Sequence, residues 1–212
     1  MSVTSIAAQV RTMRAENSAR PPSAFDREQQ ELAERDVTGV IAVGERLPDA
    51  ELLDVYGEPT TLLDELAGRP GVLVFYRGAW CPFCNIALRA YQAQLLPALS
   101  QRGVALLAVS PQKPDGSLGM LQKQGLEFAV LSDPGNQLAT AAGILTRPSE
   151  EARAAQLGFG LDLTEVNADG SVTLPMPTVA ILGADATVRW IDVHPDYSTR
   201  TETAEIIAAL EA

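Results

Sequence analysis

The sequence predicts an α/β fold with a central mixed sheet flanked by helices, and three patterns carry the prediction. Val72, Leu73, Val74, Phe75 and Tyr76 form a continuous apolar run of β-branched and aromatic residues, suited to a strand buried on both faces. Past Gly78 the period changes: Leu88, Tyr91, Leu95 and Leu99 recur at helical spacing, and Val104–Val109 forms a second continuous apolar strand. Strand, helix and strand at this separation imply a parallel pair joined by a right-handed crossover. Finally, Thr178–Leu182 and Val188–Val193 bracket the turn signal Gly183-Ala184-Asp185-Ala186, so they should pair antiparallel ahead of a closing helix over Thr201–Leu210.

The remaining elements follow in chain order. Ile6, Val10 and Met13 mark one face of a weak amphipathic helix within residues 2–16, which Arg20-Pro21-Pro22 stops. Ser23 with Asp26 resembles a capping box, and Phe25 and Leu32 continue a second helical stripe toward Arg35. This charged stretch sets residues 1–40 apart as a helical extension on a domain spanning 41–212. It reads either as packing or subunit-contact material, which leaves a homodimer open, or as a mobile arm, since two short helices alone are marginal.

Glu51–Val55 and Thr60–Leu62 flank the turn Tyr56-Gly57-Glu58-Pro59 and should form a hairpin, with a short helix over Leu62–Leu66. Pro97 should kink or shorten the long helix. Asp115-Gly116-Ser117 opens a further helix that Gly125 ends, Phe128–Leu131 is another strand, and Pro134–Ala142 a short helix closed by Gly143. Arg147–Phe159 reads as an inserted helix and turn, followed by a loop through Asn167-Ala168-Asp169-Gly170.

With 212 residues and 46% hydrophobic content, the chain can bury one sizeable core. A net charge of −11 argues against a nucleic-acid surface and offers no polybasic membrane patch. No apolar run reaches transmembrane length and no secretory signal opens the chain, so a cytoplasmic location is expected. In that compartment a two-cysteine motif is more often catalytic than structural.

The chemistry converges on Cys81-Pro82-Phe83-Cys84. A zinc site would need further ligands, but the chain has only these two cysteines and one histidine, His194, at a distant strand end. His194 is itself best read as a surface or capping residue. A Cys-x-x-Cys pair that follows a strand and opens a helix favours thiol redox chemistry over metal binding or inert packing. Helix N-terminal N–H groups stabilise a thiolate at Cys81, Pro82 suits the first helical position, and Cys84 lies about one turn on. Cys81 is thus expected to be the exposed nucleophile and Cys84 the thiol that attacks whatever forms on it.

These motifs together resemble the alkyl hydroperoxide reductase/thiol-specific antioxidant family, the peroxiredoxin-like redoxins of thioredoxin-like fold. The carriers are Gly44-Glu45-Arg46-Leu47-Pro48-Asp49, the run from Phe75 through Cys84, Gly125-Leu126-Glu127-Phe128-Ala129-Val130-Leu131-Ser132-Asp133, and Pro177-Thr178 with the strands after it. The resemblance covers Gly44 to the C-terminus. It implies reduction of hydroperoxides through a Cys81 sulfenic acid that Cys84 resolves to an intramolecular disulfide. An external thiol, a thioredoxin-like protein or a low-molecular-weight thiol, then restores the dithiol, and no cofactor is needed.

The departures from the family lie at the chemistry. A threonine or serine is usual three residues before the peroxide-reactive cysteine, and counted from Cys81 that position is Gly78. The family's arginine normally precedes the strand held here by Thr178–Leu182, where Met176 and Pro177 stand; Arg77 is the candidate replacement, its plainer reading being a solvated strand-end residue. From thioredoxins the resemblance carries over a cis Pro177 facing the cysteines, with Met176, Pro177 and Thr178 as substrate contacts and Trp80 and Phe83 as apolar rim. Thioredoxin-like exchange on disulfide substrates is therefore the alternative, and a redox-switched binding protein using the N-terminal arm is an alternative of another class.

Overall fold

The computed structural model describes residues 4–16 and 23–212. The expected stop at Arg20-Pro21-Pro22 lies outside the described residues. Helix α1 (Ile6–Glu16) buries Ile6 and Val10, and α2 (Ala24–Ala33) begins at the expected capping box: Ser23 Oγ accepts from the Asp26 N–H, and the Asp26 carboxylate accepts from Ser23 N–H at 2.7 Å. The hairpin β1 (Glu51–Leu53) and β2 (Pro59–Thr61) runs directly into α3 (Leu62–Leu66).

The central strand β3 (Gly71–Phe75) is buried along its whole length. It pairs in parallel with β4 (Ala105–Ser110), Val74 opposite Ala108, and β4 pairs in parallel with β5 (Ala129–Ser132). On its other side β3 meets β8 (Thr178–Leu182) antiparallel, and β8 pairs antiparallel with β9 (Val188–Val193). The result is one seven-stranded mixed sheet in the order β2-β1-β5-β4-β3-β8-β9. A separate two-stranded ribbon joins β6 (Leu145–Thr146) to β7 (Leu174–Pro175). It is too short for any period in the sequence to announce.

The crossover between β3 and β4 is built from α4 (Pro82–Ala90), a π-helical segment (Tyr91–Leu95) and α5 (Leu96–Gln101). The wide turn falls just ahead of Pro97, which has no N–H to return to the preceding turn. The other helices are α6 (Pro114–Gln124), ended by Gly125 in the left-handed region, α7 (Gln137–Ala141), α8 (Glu150–Gly158), α9 (Leu163–Val166) and α10 (Thr203–Glu211).

Period-2 alternation sends the side chains of each strand to two cores. Val72, Val74, Val179 and Ile181 join Leu88, Tyr91, Leu95, Leu99 and both cysteines on one face. Leu73, Phe75, Ala180 and Leu182 join Leu52, Leu62, Leu66 and Leu138 on the other. The face a residue occupies therefore decides whether it can reach the thiols. The two N-terminal helices are packed against the domain: α1 lies against α4, and α2 against α8.

Candidate active site

Strand β3 delivers the chain to the site, and Gly78 turns it. Gly78 has φ +147°, and a side chain there would collide with the indole of Trp80, so the turn and the placement of Trp80 both require glycine. The loop is fixed from two sides: Ala79 N–H donates to Gln112 Oε1 at 2.8 Å, and Asn85 Nδ2 donates to the Ala79 carbonyl at 2.9 Å. Cys81 is then the N-cap of α4, with Pro82 in the first helical turn, as the sequence implied.

Both cysteines are free thiols, and both are buried, each 1% exposed. This corrects the expectation of an exposed Cys81: α1 packs over α4, and the neighbouring Phe83 ring carries Arg14 above it, 5.7 Å from the centroid. Burial pushes the Cys81 thiol well above the usual range, against the helix-terminus effect that favoured it in the sequence. Cys84 moves the other way. Burial opposes its ionisation too, but the Cys81 thiol as hydrogen-bond donor, the Arg200 guanidinium and the Arg77 backbone amide together hold it well below the usual range. The two sulfurs are thus pushed in opposite directions, with ionisation favoured at Cys84.

Arg200 is the residue that sequence reasoning missed. Its Nη2 lies 3.0 Å from Cys84 Sγ and 3.9 Å from Cys81 Sγ. It sits in the segment between β9 and α10, and that segment is tied down at several points. Arg200 Nη1 donates to the Tyr197 carbonyl at 2.6 Å; the buried Tyr91 hydroxyl donates to the Thr201 carbonyl at 2.7 Å; Thr201 Oγ1 donates to Asp192 at 2.8 Å. His194 contributes here, its Nε2 2.9 Å from the Asp192 carboxylate and its Nδ1 2.7 Å from Thr199 Oγ1. Glu202, two positions past Arg200, accepts from the first N–H groups of α1, at Ile6 and Ala7, so the N-terminal helix is anchored beside the arginine.

The other expected site residues divide into two groups. Arg77, Trp80 and Phe83 do gather with Cys81 along one cavity of about 1000 Å³. Arg77 is not a solvated strand-end residue: it is 4% exposed, with its guanidinium 3.8 Å from the Tyr197 ring centroid and 5.1 Å from that of Trp80. Met176, Pro177 and Thr178 do not line this cavity. Met176 is drawn into the opposite core, its N–H bonded to the Ile144 carbonyl at 2.8 Å beside the β6–β7 ribbon, and the Met176–Pro177 peptide is trans rather than cis. Thr178 Oγ1 donates to the Met176 carbonyl at 2.9 Å, spending its hydroxyl locally.

A strand–loop–helix unit carrying two interacting thiols and a guanidinium on a mixed sheet defines a dithiol oxidoreductase of thioredoxin-like fold. The AhpC/TSA family model matches residues 43–191, and the chain belongs to that family. Among relatives, a putative peroxiredoxin of Mycobacterium tuberculosis is 27% identical over 146 residues, covering 69% of this chain and 91% of its own. Peroxiredoxin Bcp of Escherichia coli is 28% identical over 104 residues, covering 49% and 65%. Among solved structures, reduced Prx3 from Vibrio vulnificus superposes with a TM-score of 0.65 at 24% identity over 81% of this chain and 99% of that one, and peroxidoxin BcpB from Mycobacterium tuberculosis with 0.60 at 19% over 81% and 95%. The chain is thus a thiol-dependent peroxidase, and family membership implies a peroxide substrate and a thiol reductant in general terms.

Proposed function

We propose that Cys84 is the sulfur that attacks the peroxide and Cys81 the one that resolves it, reversing the order expected from helix position alone. The observation that supports this is the Arg200 contact, nearly 1 Å shorter to Cys84 than to Cys81. A guanidinium at that distance stabilises the thiolate before reaction and can stabilise charge developing on the departing oxygen. Counted back from Cys84, the position where the family has a hydroxyl is Cys81, whose thiol donates to the same sulfur.

In the first step the Cys84 thiolate attacks the distal oxygen of ROOH. An S–O bond forms, the O–O bond breaks, and the alkoxide leaves to take up a proton as ROH. In the second, Cys81 sulfur attacks the Cys84 sulfenic acid; the S–S bond forms and the oxygen departs with two protons as water. External thiol then returns both sulfurs to the reduced state.

The family match beginning at residue 43 supports dividing the chain into an extension over 1–40 and a domain over 41–212. We place the enzyme in the cytoplasm, where a reduced dithiol is maintained; among the described residues no helix is long and apolar enough to cross a membrane. Mass spectrometry of reduced protein after one equivalent of hydrogen peroxide, with a sulfenic-acid trap, tests the order of attack. The trap should mark Cys84 in Cys81→Ser; a mark on Cys81 in Cys84→Ser, with none in the converse variant, contradicts it.

A further inference from the structure

The cavity beside the thiols has a composition unlike the rest of the molecule. The chain carries a net charge of −11, yet the cavity is lined by two guanidinium groups, Arg14 and Arg77, and one carboxylate, Asp26. Asp26 is already occupied by the Ser23 N–H and hydroxyl, both at 2.7 Å. Arg14 is engaged with Gln29. Arg77 is 4% exposed, and its Nε has no hydrogen-bond partner among the described residues. A buried guanidinium donor left unpaired is costly, and the residue that carries it lines a cavity with Phe25, Phe83 and Phe159 among its walls.

Of the two cysteines only Cys81 is among the residues that line this cavity, whereas Cys84 Sγ lies 3.0 Å from Arg200 Nη2. A nucleophile arriving through the cavity at the oxidised protein therefore comes to Cys81 before Cys84. The sulfur it would expel, Cys84, is the better leaving group because its thiolate is the stabilised one. Helices α1 and α2 contribute Met13, Arg14, Phe25 and Gln29 to the walls, so the approach runs between side chains of the chain itself.

We propose that this cavity is the reductant site, and that it takes a low-molecular-weight thiol bearing a carboxylate on an apolar body, the carboxylate bonding to Arg77. This deepens the peroxidase reading and rests on it. The thiolate RS⁻ attacks Cys81 Sγ; an S–S bond to the reductant forms, the Cys81–Cys84 bond breaks, and the electron pair leaves with Cys84 as thiolate. A second RS⁻ attacks the reductant sulfur of the mixed disulfide, releasing RSSR and a Cys81 thiolate that takes a proton. Two thiols are oxidised and one protein disulfide is reduced.

The test starts from full-length protein oxidised to its disulfide with diamide, so that it does not depend on peroxide reactivity, which is measured separately on the reduced protein. Reduction is followed by tryptophan fluorescence with 4-mercaptophenylacetate, with its uncharged amide 4-mercaptophenylacetamide, and with a bacterial thioredoxin. The acid should reduce the protein about tenfold faster than the amide and faster than thioredoxin. The thiol-free acid 4-methylphenylacetate should inhibit competitively, a readout on the unmutated protein. In a folded Arg77→Gln variant the acid-to-amide ratio should fall to about one, consistent with loss of a single charge-assisted contact. Equal rates for acid and amide, or faster reduction by thioredoxin, overturn the proposal. A failure of the peroxide reaction alone would leave these rates as they are and count against the peroxidase reading instead.

Discussion

Arg200 Nη2 donates to Cys84 Sγ at 3.0 Å, although 116 positions separate the two residues in the chain. The contact links the segment between β9 and α10 to the first turn of α4 and gives the site its fixed cation. Replacing Arg200 with methionine keeps much of the side-chain volume and removes the charge. The pH midpoint of Cys84 alkylation by iodoacetamide should then rise, because the thiolate loses its counter-charge, and the second-order rate with hydrogen peroxide should fall roughly 100-fold. Arg200→Lys should recover only part of either, since an ammonium cannot reproduce the planar donor set.

The same contact makes stability depend on pH. The Cys84 pKa is lowered on folding, so its contribution to stability is full above the unfolded thiol pKa and is lost as pH falls through the folded value. Cys84→Ala should therefore cost more stability at pH 9 than at pH 5, as read from urea midpoints.

Tyr91 holds the Arg200 segment from below. Its hydroxyl is buried and donates to the Thr201 carbonyl at 2.7 Å, and burial raises its pKa beyond the ordinary tyrosine range. Tyr91→Phe leaves that carbonyl without its donor and should cost about 1–3 kcal/mol. A slower peroxide reaction with an otherwise native circular dichroism spectrum is the signature expected if Tyr91 also positions Arg200.

Asp133 gives a second pH dependence, of opposite sign. Burial raises its pKa to about 6 against the pull of backbone N–H groups at the start of α7, where Gln137 and Leu138 donate to it at 2.8 and 3.0 Å. A carboxyl whose folded pKa is raised contributes stability that is full below about pH 4 and is lost as pH rises through about 6. The carboxyl carbon resonance of Asp133 should titrate with a midpoint near that value. A midpoint near the unperturbed value of about 4 contradicts the burial argument.

Glu28 is the tether of α2. Buried, it accepts from the Ser149 N–H at 2.6 Å and from the Tyr197 hydroxyl at 2.8 Å, joining the extension to α8 and to the segment that carries Arg200. Glu28→Ala removes the acceptor of the Ser149 N–H and leaves the Tyr197 hydroxyl only its 3.4 Å bond to the Phe25 carbonyl; it should speed hydrogen exchange across residues 24–33 before it affects the sheet, with a global cost of roughly 1–3 kcal/mol.

Local chemistry explains what was legible in the sequence. The β3 run, the Cys81 N-cap with Pro82, the Ser23 capping box, the Gly125 stop and the β8–β9 pair each depend on residues a few positions apart, and each stands where its pattern indicated. The thiol electrostatics were not legible, because Arg200 lies in a polar loop with no pattern of its own and reaches Cys84 only through the tertiary fold. Burial of Cys81 depends likewise on α1 crossing α4. Met176 was misplaced because which face of the sheet it joins is set by the two-residue ribbon at β6 and β7, below the length at which periodicity speaks.

The central claim is that Cys84 carries the reactive thiolate. The most direct measurement is stopped-flow tryptophan fluorescence of reduced wild type, Cys81→Ser and Cys84→Ser mixed with hydrogen peroxide, with Trp80 beside the thiols as reporter. Wild type and Cys81→Ser should respond with saturating, peroxide-dependent kinetics far faster than a free thiolate, and Cys84→Ser should be silent. A fast response in Cys84→Ser together with silence in Cys81→Ser would contradict the assignment and return the nucleophile to the helix N-cap.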